Sequence, residues 1–176
     1  VRLVGGDILD AARLTEALDE SSPDVVINLA AKPGVSEAER SPEDYQAVNV
    51  RGVEVLLDAC ARVGVGRIVH ASSSSVYGER DGMVTEGERL SPVGVYGRTK
   101  LEGERVIRTA CERHALSARI LRPFTVIGPL GRPDMAAWKF AHAIVQGRPV
   151  GLHAHTRRDF TSVHDVAAAF VAAAEQ

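Results

Sequence analysis

The chain has 176 residues, 45% of them hydrophobic and 25% charged, with a formal net charge of −2. This is the profile of a soluble globular domain long enough to bury roughly 70% of its unfolded surface. The near-neutral balance without a basic tract argues against a nucleic-acid or membrane-surface binder, and no apolar run approaches the ~18 residues that a membrane span needs.

Strands and helices are expected to alternate. "VRLVGGD" (1–7) reads as a buried strand and "ILDAARLTEALDE" (8–20) as an amphipathic helix. "PDVVINLAA" (23–31) is a continuous apolar strand. Residues 41–64 read as one long helix, with Ser41 as N-cap, Pro42 in the first turn and Gly64 as C-cap. "GRIVHASSS" (66–74) is another apolar strand, 91–115 a second long helix after a polar loop, and "LSARILRPF" (116–124) a strand. Beyond Pro123 the pattern loosens. A helix at about 135–147, a short strand "RPVGLH" (148–153), a loop "RRDFTSV" and a last helix from about 164 follow. Strands this apolar, separated by helices, predict a parallel sheet covered on both faces, a Rossmann-like doubly wound α/β fold.

Cys60 and Cys111 lie far apart in expected helices and read as buried free thiols, which fits a reducing, cytoplasmic compartment. His70, on an apolar strand, reads as a packed core residue. His153 and His155 alternate on one face with no third ligand nearby, so no metal site is expected. Val1 opens a strand, Gln176 falls in mid-helix and no signal peptide is visible, so a fragment is expected.

In an open parallel sheet, ligands sit beyond the carboxyl ends of the strands. Asp7, Ala30, Ala31, the serine run 72–75 and Thr125 all follow expected strands. Tyr96 and Lys100 are spaced i, i+4 and share a helix face. Alone, the pair reads first as a surface tyrosine with a snorkelling lysine, and the polar loop after the serine run turns the reading to an acid/base pair. No glycine-rich phosphate loop is present. "GVG" (64–66) ends a helix, and "GGD" (5–7) lacks a third glycine.

Seven motifs then line up: "GDILD" (6–10), "VVINLAAKPGV" (25–35), "YQAVNVRGVEVLLDA" (45–59), "RIVHASSSSVYG" (67–78), "VYGRTKLEGE" (95–104), "ILRPFTVIGPLGRPDM" (120–135) and "RDFTSVHDVA" (158–167). In this order they resemble the extended short-chain dehydrogenases/reductases, the NAD-dependent epimerase/dehydratase family. "AKPGV", "ASSSSVYG" and above all "GRPDM" look like its UDP-glucuronate 4-epimerase branch.

The resemblance implies an NAD-binding domain over 1–124 and part of a substrate-binding region over 125–176. It also implies a glycine-rich βαβ unit of roughly 50 residues ahead of Val1, so that this stretch alone would be inactive. Tyr96 is then the general base. Lys100 lowers its pKa and holds the nicotinamide ribose, and Ser73 hydrogen-bonds the sugar O4. Asp7, Ile8, Leu29, Ala30, Ala31, Asn49 and Pro123 correspond to cofactor positions. Ser74, Ser75, Thr125 and Arg132 face the sugar and its carboxylate, and Arg158 grips the UDP diphosphate. Ser74 and Ser75 stand where dehydrating or decarboxylating relatives carry acidic residues, which leaves epimerisation. Ser162 and His164 depart from the family's Tyr and Asp. A homodimer through the two long helices is implied by analogy alone. The alternatives are a UDP-glucose/galactose 4-epimerase, another sugar-nucleotide epimerase or dehydratase, or an inert NAD(P)-binding scaffold.

Overall fold

The computed structural model describes residues 1–151 and 157–176. Three parallel strands, β1 (Val26–Asn28), β2 (Arg67–Ala71) and β3 (Ser117–Leu121), form one sheet in the order β1-β2-β3. The register pairs Asn28 with His70 and Ala71 with Leu121. A second parallel pair joins β4 (Thr125–Ile127) to β5 (Phe160–Ser162).

The helices are α1 (Ala11–Ser21), α2 (Val35–Ala38), α3 (Pro42–Gln46), α4 (Gly52–Val63), α5 (Gly94–Arg113), α6 (Ala136–Val145) and α7 (Val163–Glu175). α3 and α4 connect β1 to β2, and α5 connects β2 to β3. These are the helical crossovers that parallel neighbours require. Ile68 packs with Val53, Leu56, Leu57 and Cys60 of α4 and Ile107 of α5. Each such side chain contributes about 1.5–3 kcal/mol on full burial. Val69 points to the other face, and α7 lies against β1 and β2. The sheet is thus wound on both sides, as expected.

Several local expectations change. Residues 1–7 form no strand, and Val1 and Leu3 are exposed. An apolar run becomes a strand only where a neighbour completes its ladder, and none of the described strands lies beside it. The long helix at 41–64 is interrupted by a π-helical turn at Ala47–Arg51, a feature common near functional sites. Pro42 does sit in the first turn, but Ser41 makes no capping hydrogen bond. β4 and β5 replace the irregular segments expected at 125–127 and 160–162. Residues 148–151 are not strand, and the rest of that expected strand, with His153 and His155, lies outside the described residues. Cys60 is buried and Cys111 half-buried, and both are free thiols. Among the described residues no helix is long and apolar enough to cross a membrane, and no His/Cys/Asp/Glu cluster could hold a metal ion.

Candidate active site

The segments beyond β1 and β2 meet around Tyr96, and the segment beyond β3 braces the serine turn. Beyond β2, Ser72 N–H donates to Leu121 O (2.8 Å) and Ser74 N–H to Pro123 O (3.0 Å), which extends the β2–β3 ladder past the strand ends. A 3-10 turn, Ser74–Tyr77, follows. Ser73 Oγ caps it, accepting from Ser75 N–H (3.2 Å) and from the Ser75 hydroxyl (2.8 Å). With its lone pairs taken, Ser73 has its own proton free to donate, and it lies close enough to Tyr96 to favour the phenolate.

Two glycines let α5 come this close. A Cβ on Gly97 would sit 2.8 Å from Ser75 O, so only glycine allows the helix to touch the serine turn. Gly94 has φ +75°, and a Cβ there would lie 2.8 Å from Glu39 Oε1. That carboxylate accepts from Val95 N–H at 2.6 Å. The first turn of α5 is thereby capped from the end of α2, where a negative charge also suits the helix dipole.

Beyond β1 the loop at 30–34 is clamped rather than free. Asn49, in the π turn, accepts from Lys32 N–H (2.8 Å) and donates to Lys32 O (3.1 Å) and Thr99 Oγ1 (3.2 Å). Expected at the cofactor, this buried asparagine ties the loop to α5. Tyr45 donates to Pro33 O (2.6 Å) and meets Tyr96 edge-to-face, with ring centroids 6.4 Å apart. Leu29 and Ala30 are exposed and Ala31 half-buried, an open shelf of mostly small residues at the strand end.

Burial raises the Tyr96 pKa above the usual tyrosine value, and the Ser73 hydrogen bond and the Arg132 charge only partly offset this. The expected lowering by Lys100 is therefore not what dominates: desolvation of the phenolate outweighs the charges around it. Lys100 is 2% exposed. Burial pushes its pKa down to about 8, with Glu104 acting against the shift. Among the described residues no carboxylate lies within ion-pair distance of its ammonium.

The other expected site residues are less uniformly gathered. Arg132 lies close enough to influence Tyr96 and Tyr45, but its fork is held by Asp134, Nε to Oδ1 at 2.9 Å and Nη2 to Oδ2 at 2.7 Å. Thr125 opens β4, and its N–H donates to Asp159 O (3.1 Å). Arg158 is exposed, and its guanidinium donates to Arg157 O (2.8 Å). Asp7 is exposed and its carboxylate accepts from Leu9 N–H (2.9 Å), while Ile8 packs on Gly52. A groove of about 460 Å³ between α5 and β3 contains none of these residues. Four residues not expected from sequence also shape the site: Glu39, Tyr45, Glu104 and Arg122. For Glu104 alone a signal existed, because it continues the i, i+4 run of Tyr96 and Lys100.

His70 is buried, as expected. Asn28 Oδ1 accepts from Ala30 N–H (3.0 Å), so the Asn28 amide nitrogen faces His70 Nδ1 at 3.1 Å. Nδ1 therefore accepts and Nε2 carries the proton, without a partner among the described residues. Burial, assisted by the Lys100 charge, pushes its pKa down to about 3. An unfolded histidine titrates near 6.5. Between about 3 and 6.5 the unfolded chain binds the extra proton, so stability falls as pH drops through that window. Thermal melts of the full-length protein at pH 4–7 should show this acid limb, and His70→Gln should flatten it. An unchanged limb would clear His70 of the effect.

The model of the NAD dependent epimerase/dehydratase family matches residues 1–176. The chain is 38% identical over 159 residues to a Bacillus subtilis protein described as an uncharacterized UDP-glucose epimerase, covering 89% of this chain and 49% of that protein. It is 37% identical over 172 residues to UDP-glucuronate 4-epimerase 1 of Arabidopsis thaliana, covering 93% and 40%. The fold matches the crystal structure of a UDP-glucuronic acid 4-epimerase from Bacillus cereus in complex with UDP-glucuronic acid and NAD with a TM-score of 0.89. That match has 36% identity and covers 97% of this chain and 55% of that one. The chain thus spans about half the length of the relatives it matches. A wound parallel sheet, a serine turn pressed on a tyrosine-lysine helix and a family match over every residue agree: the chain belongs to the NAD-dependent epimerase/dehydratase family.

Proposed function

We propose that this chain contributes the catalytic centre of an NAD-dependent UDP-sugar 4-epimerase that interconverts UDP-glucuronate and UDP-galacturonate. The observation that carries this reading is the close approach of the serine turn to α5 at Gly97, which sets Ser73 beside Tyr96 with Lys100 one turn further along the same helix face. Relatives bearing the UDP-glucuronate 4-epimerase name, and a Bacillus cereus structure of such an enzyme with NAD, support the cofactor and the substrate class.

The residues suit NAD. Lys100 is a buried ammonium without an ion-pair partner among the described residues, and such a cation fits the hydroxyls of a ribose. Leu29, Ala30 and Ala31 would let a dinucleotide pass close to the β1 end. When bound, NAD supplies the hydride acceptor and donor at C4. Tyr96 takes the O4 proton, Ser73 bridges O4 and the phenol, and Lys100 and Arg132 favour the phenolate electrostatically. Glu104, two turns beyond Tyr96 on α5, is fully buried and paired with Arg122, so it does not serve as the extra acid or base that elimination needs. Residues 125–176 carry part of the substrate-binding region, with Thr125, Arg132, Ser74 and Ser75 toward the sugar and Arg158 toward the diphosphate. The unpaired thiols Cys60 and Cys111 suit a reducing, cytoplasmic setting.

Full-length protein with NAD⁺ should convert UDP-glucuronate to UDP-galacturonate, read from the anomeric signals by ¹H NMR. Arg132→Ala should raise KM for the uronate about tenfold or more over any rise for UDP-glucose, the loss of roughly one charge-assisted contact. Conversion of UDP-glucose but not the uronate would favour the neutral-sugar epimerase instead.

A further inference from the structure

Glu104 is fully buried, one helical turn beyond Lys100 and two beyond Tyr96 on the same face of α5. Its carboxylate accepts from the Ser72 hydroxyl (2.5 Å) and from Arg122 Nε (2.8 Å) and Nη2 (2.7 Å), with Arg108 Nη2 at 3.5 Å. Arg122 reaches on to donate to the Tyr77 hydroxyl (3.1 Å) and lies over that ring at 5.1 Å. Ser72 immediately precedes Ser73, Tyr77 closes the serine turn, and Arg122 precedes Pro123. One carboxylate therefore joins the helix bearing Tyr96 and Lys100 to both segments beyond β2 and β3.

A buried ion pair is a poor source of net stability, since packed apolar side chains of similar volume serve as well or better. Its geometry is what an apolar replacement could not reproduce. Arg122 meets Glu104 through two parallel N–H donors, a fork that fixes angle as well as distance. We propose that Glu104 is a positioning residue of the catalytic centre, whose carboxylate holds Ser73 and the Arg122–Pro123 segment in register with Tyr96 and Lys100. The proposal rests on the epimerase reading above.

A second consequence concerns charge. The titratable groups that Lys100 feels or acts on are His70 from β2, neutral through burial, and Glu104 on its own helix, whose carboxylate is shared with Arg122 beyond β3. Asn49 and Thr99 on the π-turn side are uncharged. Glu104 is thus the one negative charge opposing the desolvation of Lys100.

The test uses full-length protein with NAD⁺ and UDP-glucuronate. Glu104→Gln should lower kcat about 10- to 100-fold with KM for the sugar nucleotide little changed, as expected for a misplaced reacting pair. The alkaline limb of its kcat profile should move to lower pH, because Lys100 loses its proton sooner. Ser72→Ala, which keeps the charge but cuts the tether, should lower kcat several-fold with the limb in place. A folded Glu104→Gln protein with wild-type kcat and limb overturns the proposal. If Glu104→Gln does not fold, Ser72→Ala decides, and a wild-type kcat there overturns it. If the wild type turns over neither sugar nucleotide, the epimerase reading fails by itself. The ¹³C shift of the Lys100 Cε against pH then still reports the Glu104 effect, and identical titrations in wild type and Glu104→Gln overturn it.

Discussion

Tyr96→Phe should lower turnover of the full-length protein by roughly 10²–10⁴, the range for removing a positioned general base. The phenol stands where Ser73 and a cationic side chain, Arg132, both favour its deprotonated form. Phenylalanine keeps the ring that meets Tyr45 edge-to-face, so the fold should be unaffected. KM should therefore change little while kcat collapses. Because burial holds the phenol above its ordinary pKa, wild-type kcat/KM should climb with pH through neutrality. A Tyr96→Phe protein that keeps its rate, or a wild-type profile flat from pH 6 to 8, would remove Tyr96 from the mechanism.

Lys100→Met should separate activity from stability in opposite directions. The folded ammonium titrates at about 8 against an ordinary 10.5. Between those values the unfolded chain holds more protons, so the wild type gains stability as pH rises through the window. Below it the full cost of burying the charge remains, about 3 kcal/mol at most. Methionine fills a similar volume without that cost. The variant should therefore gain on the order of 1–3 kcal/mol at pH 7, seen as a higher urea midpoint. The gain should shrink by pH 9.5. On the proposed mechanism activity should fall roughly 10²-fold or more, since the cation that would hold the ribose beside Tyr96 is gone. This is the familiar exchange of stability for function at a strained site. A midpoint gain that grew with pH, or none at all, would contradict the account of Lys100.

Much of the frame was legible because strands buried on both faces carry their signal locally. The apolar runs at 23–31, 66–74 and 116–124 each contain a strand, though a shorter one. α5 was legible for the same reason: an uninterrupted helical segment follows a polar loop. What escaped was non-local. β4 and β5 are three residues each and find each other across a long stretch of chain, so neither had a period to read. The π turn has no side-chain signature, and its effect, turning Asn49 onto Lys32, exists only in three dimensions. At the site, spacing indicated that Tyr96 and Lys100 share a face. It could not indicate that burial would outweigh neighbouring charge and push the Tyr96 pKa up. Arg122 and Glu104 are ordinary charged residues in sequence, and only β3 packing against α5 makes them a buried pair.

The cap on α5 has a kinetic meaning. Tyr96 is the third residue of its helix, and that first turn is held by a carboxylate 56 residues upstream. The remainder of α5 can form from local propensity on the microsecond scale. Its leading turn must await closure of a long loop, whose entropic cost rises with the logarithm of its length. During refolding, helix content would then return before the phenol is fixed in place. A partly assembled chain would carry the whole constellation of reactive groups yet lack an ordered proton acceptor, which postpones chemistry until the loop beyond β1 has docked.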